Sequence, residues 1–382
     1  MVGCSVKTTP FHVQISEGCM TERMKLYNRL LSFINRKLKM ERESHRVTFA
    51  MFVFGLLVGQ RVHLPRICSQ LPLRGKQETF QMRLYRFLQL ETIEHQHWYF
   101  RLLSDVFELS KKQELTVIVD VTAVGSSCMV WMASIPLGKR AIPIYWKAFE
   151  QKNGHLKGEL HLQAFGELQE LLKGKSVTLL ADGEFDMAEL LRSFQQVGWH
   201  FVCRTAPNFV FSQQKVRVDS LKEKGMVCWQ ENTSFLRGKV QEVTIAAWWG
   251  EEYKEPIFLV SSLSSGLEAG LLYLKRFQIE TIFGDLKSRG FRLNQTKVTI
   301  PERIEKLVLA VCFAFVWMVS LGVEVSQSPL SRVQSKKSFF RLGIDRLQEF
   351  FNFGGRCRLL SCLSVPIEVS SNCRSENATF VV

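Results

Sequence analysis

The stretch "ELTVIVDVTAV", Glu114–Val124, is a continuous apolar and β-branched run with one acidic residue, Asp120, near its end. Such a run reads as a strand buried on both faces. Beyond it, "CMVWMASIPLGKRAIPIYWKAF" gives two further strand-like runs parted by residues 136–139, a turn containing Gly138, and therefore an antiparallel hairpin. Residues 160–172 return to helical spacing. The stretch "SVTLLADGEFD" from Ser176 gives a fourth strand that also ends at an aspartate, Asp182, with Gly183 behind it. A helix over 187–197 and the strand "WHFVCRT" complete the order: three strands, a helix, a strand, a helix and a strand. Short strand-like stretches come next, "FVFSQQKVRVDSL", "GMVCWQ", "KVQEVTIAAWWG" and "EPIFLVSSL", and they look like a β-rich insertion.

The next stretch, "YLKRFQIETIFGDLK" over 273–287, has helical apolar spacing. At about 100° per residue, Tyr273, Arg276, Glu280 and Lys287 fall within roughly 60° of one another. Leu272, Ile279, Ile282, Phe283 and Leu286 gather on a neighbouring face, as on a helix packed against a sheet with its polar stripe in a cleft. A solvated face with local charge pairs is the plain alternative for such a stripe.

Upstream, "TERMKLYNRLLSFINRKLKMERESHR" places Leu26, Leu30, Phe33 and Ile34 at helical spacing among many basic residues. The run "FAMFVFGLLVG" from Phe49 is too short to span a bilayer and reads as a buried helix. Two short helical patterns then surround breaks at Pro65, Pro72 and Gly75, compatible with a helix-turn-helix or with a plain bundle carrying a solvated basic face. The first hundred residues look helical, basic and separate from the remainder of the chain. Downstream, "RGFRLNQ" precedes the apolar run 307–323, whose flanking Arg303, Glu305, Lys306 and Glu324 favour a core helix over a membrane span. A helix over "SFFRLGIDRLQEFF" and a frayed tail from Ser364 end the chain.

With 46% hydrophobic and 23% charged residues over 382 positions, the composition is that of a globular protein. The net charge of +14 points to a polyanionic partner, nucleic acid or anionic membrane. Ten cysteines without a C-x-x-C pair indicate neither a zinc ribbon nor a regular disulfide frame, so a reducing cytosol is the simpler setting. No secretory pattern opens the sequence, and export is not expected.

Two buried strands that each end in an aspartate bring two carboxylates together if the strands are neighbours, because ligands gather beyond strand ends in open α/β sheets. Glu280 supplies a third. Three converging carboxylates repel unless cations neutralise them, and the natural occupants are two Mg2+ ions, with Mn2+ able to substitute. An aspartate at a strand end is by itself more often a turn residue or helix cap; the three acids together on a basic chain shift the balance. Glu184 and Asp186 read as loop or capping residues.

The spacing Y-(2)-R-(3)-E-(6)-K, with Asp120 in "VIVDVT", Asp182 in "LLADGEF" and then "GWHFVCR", resembles the DDE transposases of bacterial insertion sequences, in particular the insertion sequence four family. The resemblance runs over about 114–349 and more weakly over the helical N-terminal part. It implies an α/β RNase H-like core, a mixed five-stranded sheet with flanking helices. A β-rich insertion falls at about 205–262 of a catalytic domain 111–350. A helical, basic DNA-binding region spans 1–110 and a C-terminal tail 351–382. It further implies Asp120, Asp182 and Glu280 as catalytic metal ligands, and phosphate contacts by Tyr273, Arg276, Lys287 and Arg204. The implied activity is metal-dependent cleavage at transposon ends and strand transfer into target DNA, by at least a dimer during synapsis, in the bacterial cytoplasm at the nucleoid and not in a membrane. A nuclease or resolvase without strand transfer and an inactive DNA-binding derivative share the same residues. Trp248 and Trp249 are placed where relatives stack an aromatic on a flipped base, but packing is the simpler role for both.

Overall fold

The computed structural model describes residues 21–106, 113–138, 140–207, 221, 223–251, 253–327, 337–354 and 361–364. Helix α1 (Glu22–Lys37) begins where the Thr21 hydroxyl accepts from the Met24 amide at 3.3 Å, and it buries Leu26, Tyr27, Leu30, Phe33 and Ile34 on one stripe. Helix α2 (Glu43–Gly59) is apolar nearly all round and buried accordingly. Two shorter helices, α3 (Leu64–Cys68) with Pro65 in its first turn and α4 (Gln77–Gln89), arise from the breaks at Pro65, Pro72 and Gly75. Helix α5 (His95–Leu102) leads to the sheet.

Strands β1 (Glu114–Val124), β2 (Cys128–Leu137) and β3 (Arg140–Glu150) form an antiparallel meander. Helix α6 (Gly158–Leu171) crosses over to β4 (Ser176–Ala181), and α7 (Ala188–Gln196) to β5 (His200–Thr205). β4 pairs parallel with β1, and β5 parallel with β4. Every residue of β2 is buried, as a strand covered on both faces requires.

The five-stranded sheet expected from the sequence is in fact eight-stranded. Strands β6 (Val227–Phe235), β7 (Val240–Trp248) and β8 (Ile257–Ser261) do not stand apart as an insertion: β8 pairs antiparallel with β5, giving the order β3-β2-β1-β4-β5-β8-β7-β6. An exposed β5 edge would leave backbone donors and acceptors open, and β8 satisfies them. The proposed strand at "FVFSQQKVRVDSL" falls largely outside the described residues, as do most of the tail and the first twenty positions.

After β8 come helix α8 (Gly266–Tyr273), a 3₁₀ turn over Leu274–Phe277, and α9 (Gln278–Leu286). The stretch 273–287 is thus not one regular helix: the 3₁₀ turn advances about 120° per residue and shifts Tyr273 and Arg276 off the stripe that a uniform 100° step gives.

Helix α10 (Pro301–Gln327) is the one described helix long and apolar enough to cross a membrane, and it is enclosed by protein. Phe313 stacks near Phe33 and Phe49 of the N-terminal helices, while the Trp146 indole of β3 donates to the Glu305 carbonyl at 3.0 Å. The N-terminal helices therefore share one core with the sheet through α10 rather than standing separately; Tyr99 of α5 also donates to the Pro143 carbonyl of β3 at 2.7 Å. The acid at the start of α10 is held by the sheet too, since the Glu305 carboxylate accepts from the Ala148 amide at 3.0 Å.

Helix α11 (Phe339–Phe353), capped by the Ser338 hydroxyl, packs on α10 at very short range. A Cβ on Gly343 would overlap the Met318 carbonyl, and one on Gly322 the Phe339 carbonyl, so this crossing needs glycine on both helices. Gly343→Ala is expected to lower stability by about 1–3 kcal/mol through overpacking. Gly166→Ala in α6, where an added Cβ meets nothing within 4 Å, should be neutral or stabilising by up to about 1 kcal/mol. Thermal denaturation of the two variants checks the contrast.

Candidate active site

The register of β1 against β4 builds the site. Ile118 is level with Leu180, the last pair of the ladder, and two residues further along the chain stand Asp120, still within β1, and Asp182, just past the end of β4. Parallel neighbours lie about 4.8 Å apart, so the two carboxylates meet at the sheet's C-terminal edge. Asp120 is buried, whereas Asp182 follows the last residue of β4 and accepts from the Glu184 amide at 3.0 Å.

Glu280 is in the first turn of α9, with half of its side chain exposed. Between it and Asp120 lies the buried guanidinium of Arg276, with one nitrogen 2.5 Å from Glu280 Oε1 and another 3.4 Å from Asp120 Oδ2. The guanidinium carbon lies 4.8 Å from the centre of the Phe277 ring and 5.8 Å from that of Tyr273. Lys287 follows the last residue of α9 and donates from Nζ to the Thr122 hydroxyl at 2.5 Å, one step along the same face of β1 from Asp120.

Burial pushes the Asp120 carboxyl up to about 7; the charges of Asp182 and Glu280 push the same way, and Arg276 with the Val121 amide only partly offsets them. Desolvation works against the Arg276 charge, but Tyr273, Asp120, Glu280 and Asp182 outweigh it and raise its pKa. Burial lowers the Lys287 pKa against the pull of Asp120, and burial raises the Tyr273 phenol. The pocket therefore carries an excess of carboxylate that one arginine only partly neutralises.

Arg276 links Asp120 to Glu280 and Lys287 reaches Thr122, so these residues lie around the β1 and β4 ends, whereas Tyr273, Arg204 and the two tryptophans stand differently. Tyr273 is only 1% exposed and lies behind Arg276 rather than at the surface. Arg204 lies exposed on β5, close enough for its charge to act on the Tyr273 phenol. Trp248 is buried in a packing role: a Cβ on Gly270 of α8 would lie 3.0 Å from its ring, and Tyr253 packs edge-on against it. Trp249 is part-buried and donates to the Tyr253 carbonyl at 3.3 Å.

Sequence reading missed the groups that orient these side chains. Glu184, taken as a loop or cap residue, accepts from the Leu156 amide at 2.7 Å and lies 3.1 Å from His155 and 3.2 Å from the buried His161. Its backbone holds Asp182, so α6 and the loop before it brace the second aspartate. Thr205 donates to Asp186 at 2.7 Å, tying the same loop to β5. Buried Asp285 pairs with Arg140 at 3.1 Å and Arg289 at 3.1 Å, and Gln278 donates to the Gly138 carbonyl, so both ends of α9 are latched to the β2–β3 hairpin. No periodicity connects residues 140 and 285, which is why the pattern did not reveal them.

Residues 161–317 match the family described as the transposase DDE domain, a stretch that holds Asp182 and Glu280 and begins after Asp120. This match supports a DDE transposase. No curated protein matches the chain. Among solved structures it is similar to human ENDOV, at 10% identity over 62% of this chain and 96% of that one, with a TM-score of 0.26, too low to carry an argument. The mixed α/β sheet with flanking helices accords with the domain match.

Among the described residues, no three His, Cys, Asp or Glu side chains are grouped closely enough to hold a metal ion. The donor chemistry nevertheless fits a hard divalent cation: all three groups are carboxylates, and burial, with the Asp182 and Glu280 charges, pushes the Asp120 carboxyl up to about 7. Between about pH 4 and 7 the folded chain keeps a proton on Asp120 that the unfolded chain releases, so rising pH removes stability over that window, up to about 4 kcal/mol. Asp120→Asn lacks this penalty. With EDTA present, the melting temperature of Asp120→Asn minus that of the wild type should widen from pH 5 to pH 8; a constant or shrinking gap contradicts the assignment.

Proposed function

We propose that the chain is a transposase of the insertion sequence four type, in which Asp120, Asp182 and Glu280 hold two Mg2+ ions, replaceable by Mn2+, for DNA strand cleavage and strand transfer. The observation that supports this reading is the β1–β4 register that sets Asp120 beside Asp182, where burial and then the neighbouring acids push the Asp120 carboxyl up to about 7, together with a match to the transposase DDE domain over 161–317. The first five strands, ordered β3-β2-β1-β4-β5 with only β2 antiparallel to its neighbours, support an RNase H-like core.

Held by Asp120, Asp182 and Glu280, such ions would supply Lewis-acid activation of the attacking oxygen and charge stabilisation for the leaving oxygen of a phosphodiester. The chain's own residues do the rest. The β1–β4 register sets the Asp120 to Asp182 distance, and the Glu184 amide orients Asp182. Arg276, Lys287 and exposed Arg204 are the cations that grip phosphates beside the carboxylates, which fixes the strand without reading its sequence. Tyr273 reaches a phosphate only once the guanidinium in front of it has moved.

The N-terminal helices supply the second DNA-binding surface. Residues 21–106 hold fifteen Lys and Arg against seven Asp and Glu, a net +8 of the chain's +14. A groove of about 790 Å3 between α2 and α4 is lined by His45, Arg83 and Arg86, with Glu78 as its one acid. A basic groove on a chain that also carries the acidic pocket suits an enzyme that recognises defined DNA ends before cutting them, acting as a dimer in the synaptic complex and in the bacterial cytoplasm at the nucleoid.

Glu280→Gln keeps the shape of α9 and removes one ligand charge. It is expected to abolish Mg2+-dependent cleavage of a labelled transposon end, while duplex binding in a gel-shift assay stays within about threefold of wild type, a change under 1 kcal/mol. Full-rate cleavage by this variant refutes the assignment. A wild-type protein that cuts ends but joins none to a supercoiled target is instead a nuclease.

A further inference from the structure

We propose that Arg276 is an exchangeable counter-ion: in the DNA-free protein it holds Asp120 and Glu280, and a DNA phosphate draws it away, freeing both carboxylates for divalent ions. The inference rests on the metal-dependent reading above and concerns how that site is switched.

Three observations carry it. The guanidinium stands between the two acids, 2.5 Å from Glu280 Oε1 and 3.4 Å from Asp120 Oδ2, so one oxygen of each carboxylate already faces a cation. In the same arrangement no three acidic side chains among the described residues are close enough to ligate an ion. The hold is also incomplete: the contact to Asp120 is long, Glu280 is half exposed, and the buried Arg276 Nε has no hydrogen-bond partner.

An arginine tied by a full network would not leave, but this one keeps an unused buried donor, and its partner Glu280 is half open to solvent. A phosphate diester offers the same paired-oxygen geometry that a carboxylate offers, with a charge that never protonates near neutral pH. Phe277 and Tyr273 give the guanidinium a ring surface along which to turn while its charge stays compensated. The neighbouring cation does not share this role, because Lys287 is bonded to the Thr122 hydroxyl and makes no ion pair with a site carboxylate. The consequence is ordered assembly. Without DNA the acids are occupied and free metal has little hold, so cutting chemistry is not armed until a strand is in place. By linkage, DNA then raises metal affinity by the same factor by which metal raises DNA affinity.

The test measures Mn2+ binding to the full chain by electron paramagnetic resonance of the free ion, with and without a short DNA duplex. Without DNA, Arg276→Gln should bind Mn2+ about 5- to 150-fold more tightly than wild type, the range of coupled sites. Lys287→Gln, which removes a nearby charge but not the bridge, should change little. Arg276→Lys keeps the charge but cannot span both acids, and it should gain in the same direction by less; it serves if the glutamine variant folds poorly. DNA should raise the affinity of the wild type more than that of Arg276→Gln. Equal gains in Arg276→Gln and Lys287→Gln, or no gain in either arginine variant, overturn the exchange while leaving the metal site standing. If no form binds Mn2+ even with DNA, the metal-dependent reading fails and the exchange falls with it.

Discussion

Parallel pairing of β1 with β4 is the constraint on which the molecule turns. The ladder that sets Ile118 level with Leu180 also sets Asp120 beside Asp182, and a slip of one residue would turn one of the two to the opposite face. Both strands have hydrogen-bonded neighbours on each side, and most of their side chains are buried, so a slip would expose core residues along the whole strand. Two like charges are thereby held together by the hydrophobic burial of everything around them. The penalty appears at Asp120, whose carboxyl is far less acidic than an ordinary aspartate.

Around that pair, rigidity is distributed unevenly. Asp182 is fixed through Glu184 and its contacts to the loop before α6, and α9 is latched at both ends to the β2–β3 hairpin. Glu280 itself, however, projects from this anchored helix with half of its side chain in solvent. The scaffold is anchored at both ends while the third acid keeps half of its side chain open to solvent.

Helix α10 plays the corresponding part for the whole chain. A helix apolar on every side must be surrounded, and here the N-terminal helices, β3 and α11 surround it. That encirclement ties the basic helical region to the sheet as one core, so the groove between α2 and α4 belongs to the same packed body as the β1 and β4 ends. It also gives an apolar run of membrane-spanning length a protein environment on most of its surface.

The amino-acid sequence by itself determined the elements of the α/β sheet from β1 to β5, the buried character of α2 and α10, and the identity of the charged residues around the pocket. These follow from period, β-branching and strand-end acids, which are local properties of the chain. Only the tertiary structure decided that the later strands extend the sheet to eight, that the stretch from Tyr273 to Lys287 breaks into a 3₁₀ turn and a short helix, and that Arg276 lies between two carboxylates. Each of those outcomes depends on which surfaces meet: an open β5 edge needing a partner, a helix start fitted against β1, and a buried aspartate in need of positive charge. Such demands arise between residues far apart along the chain, and no local pattern records them.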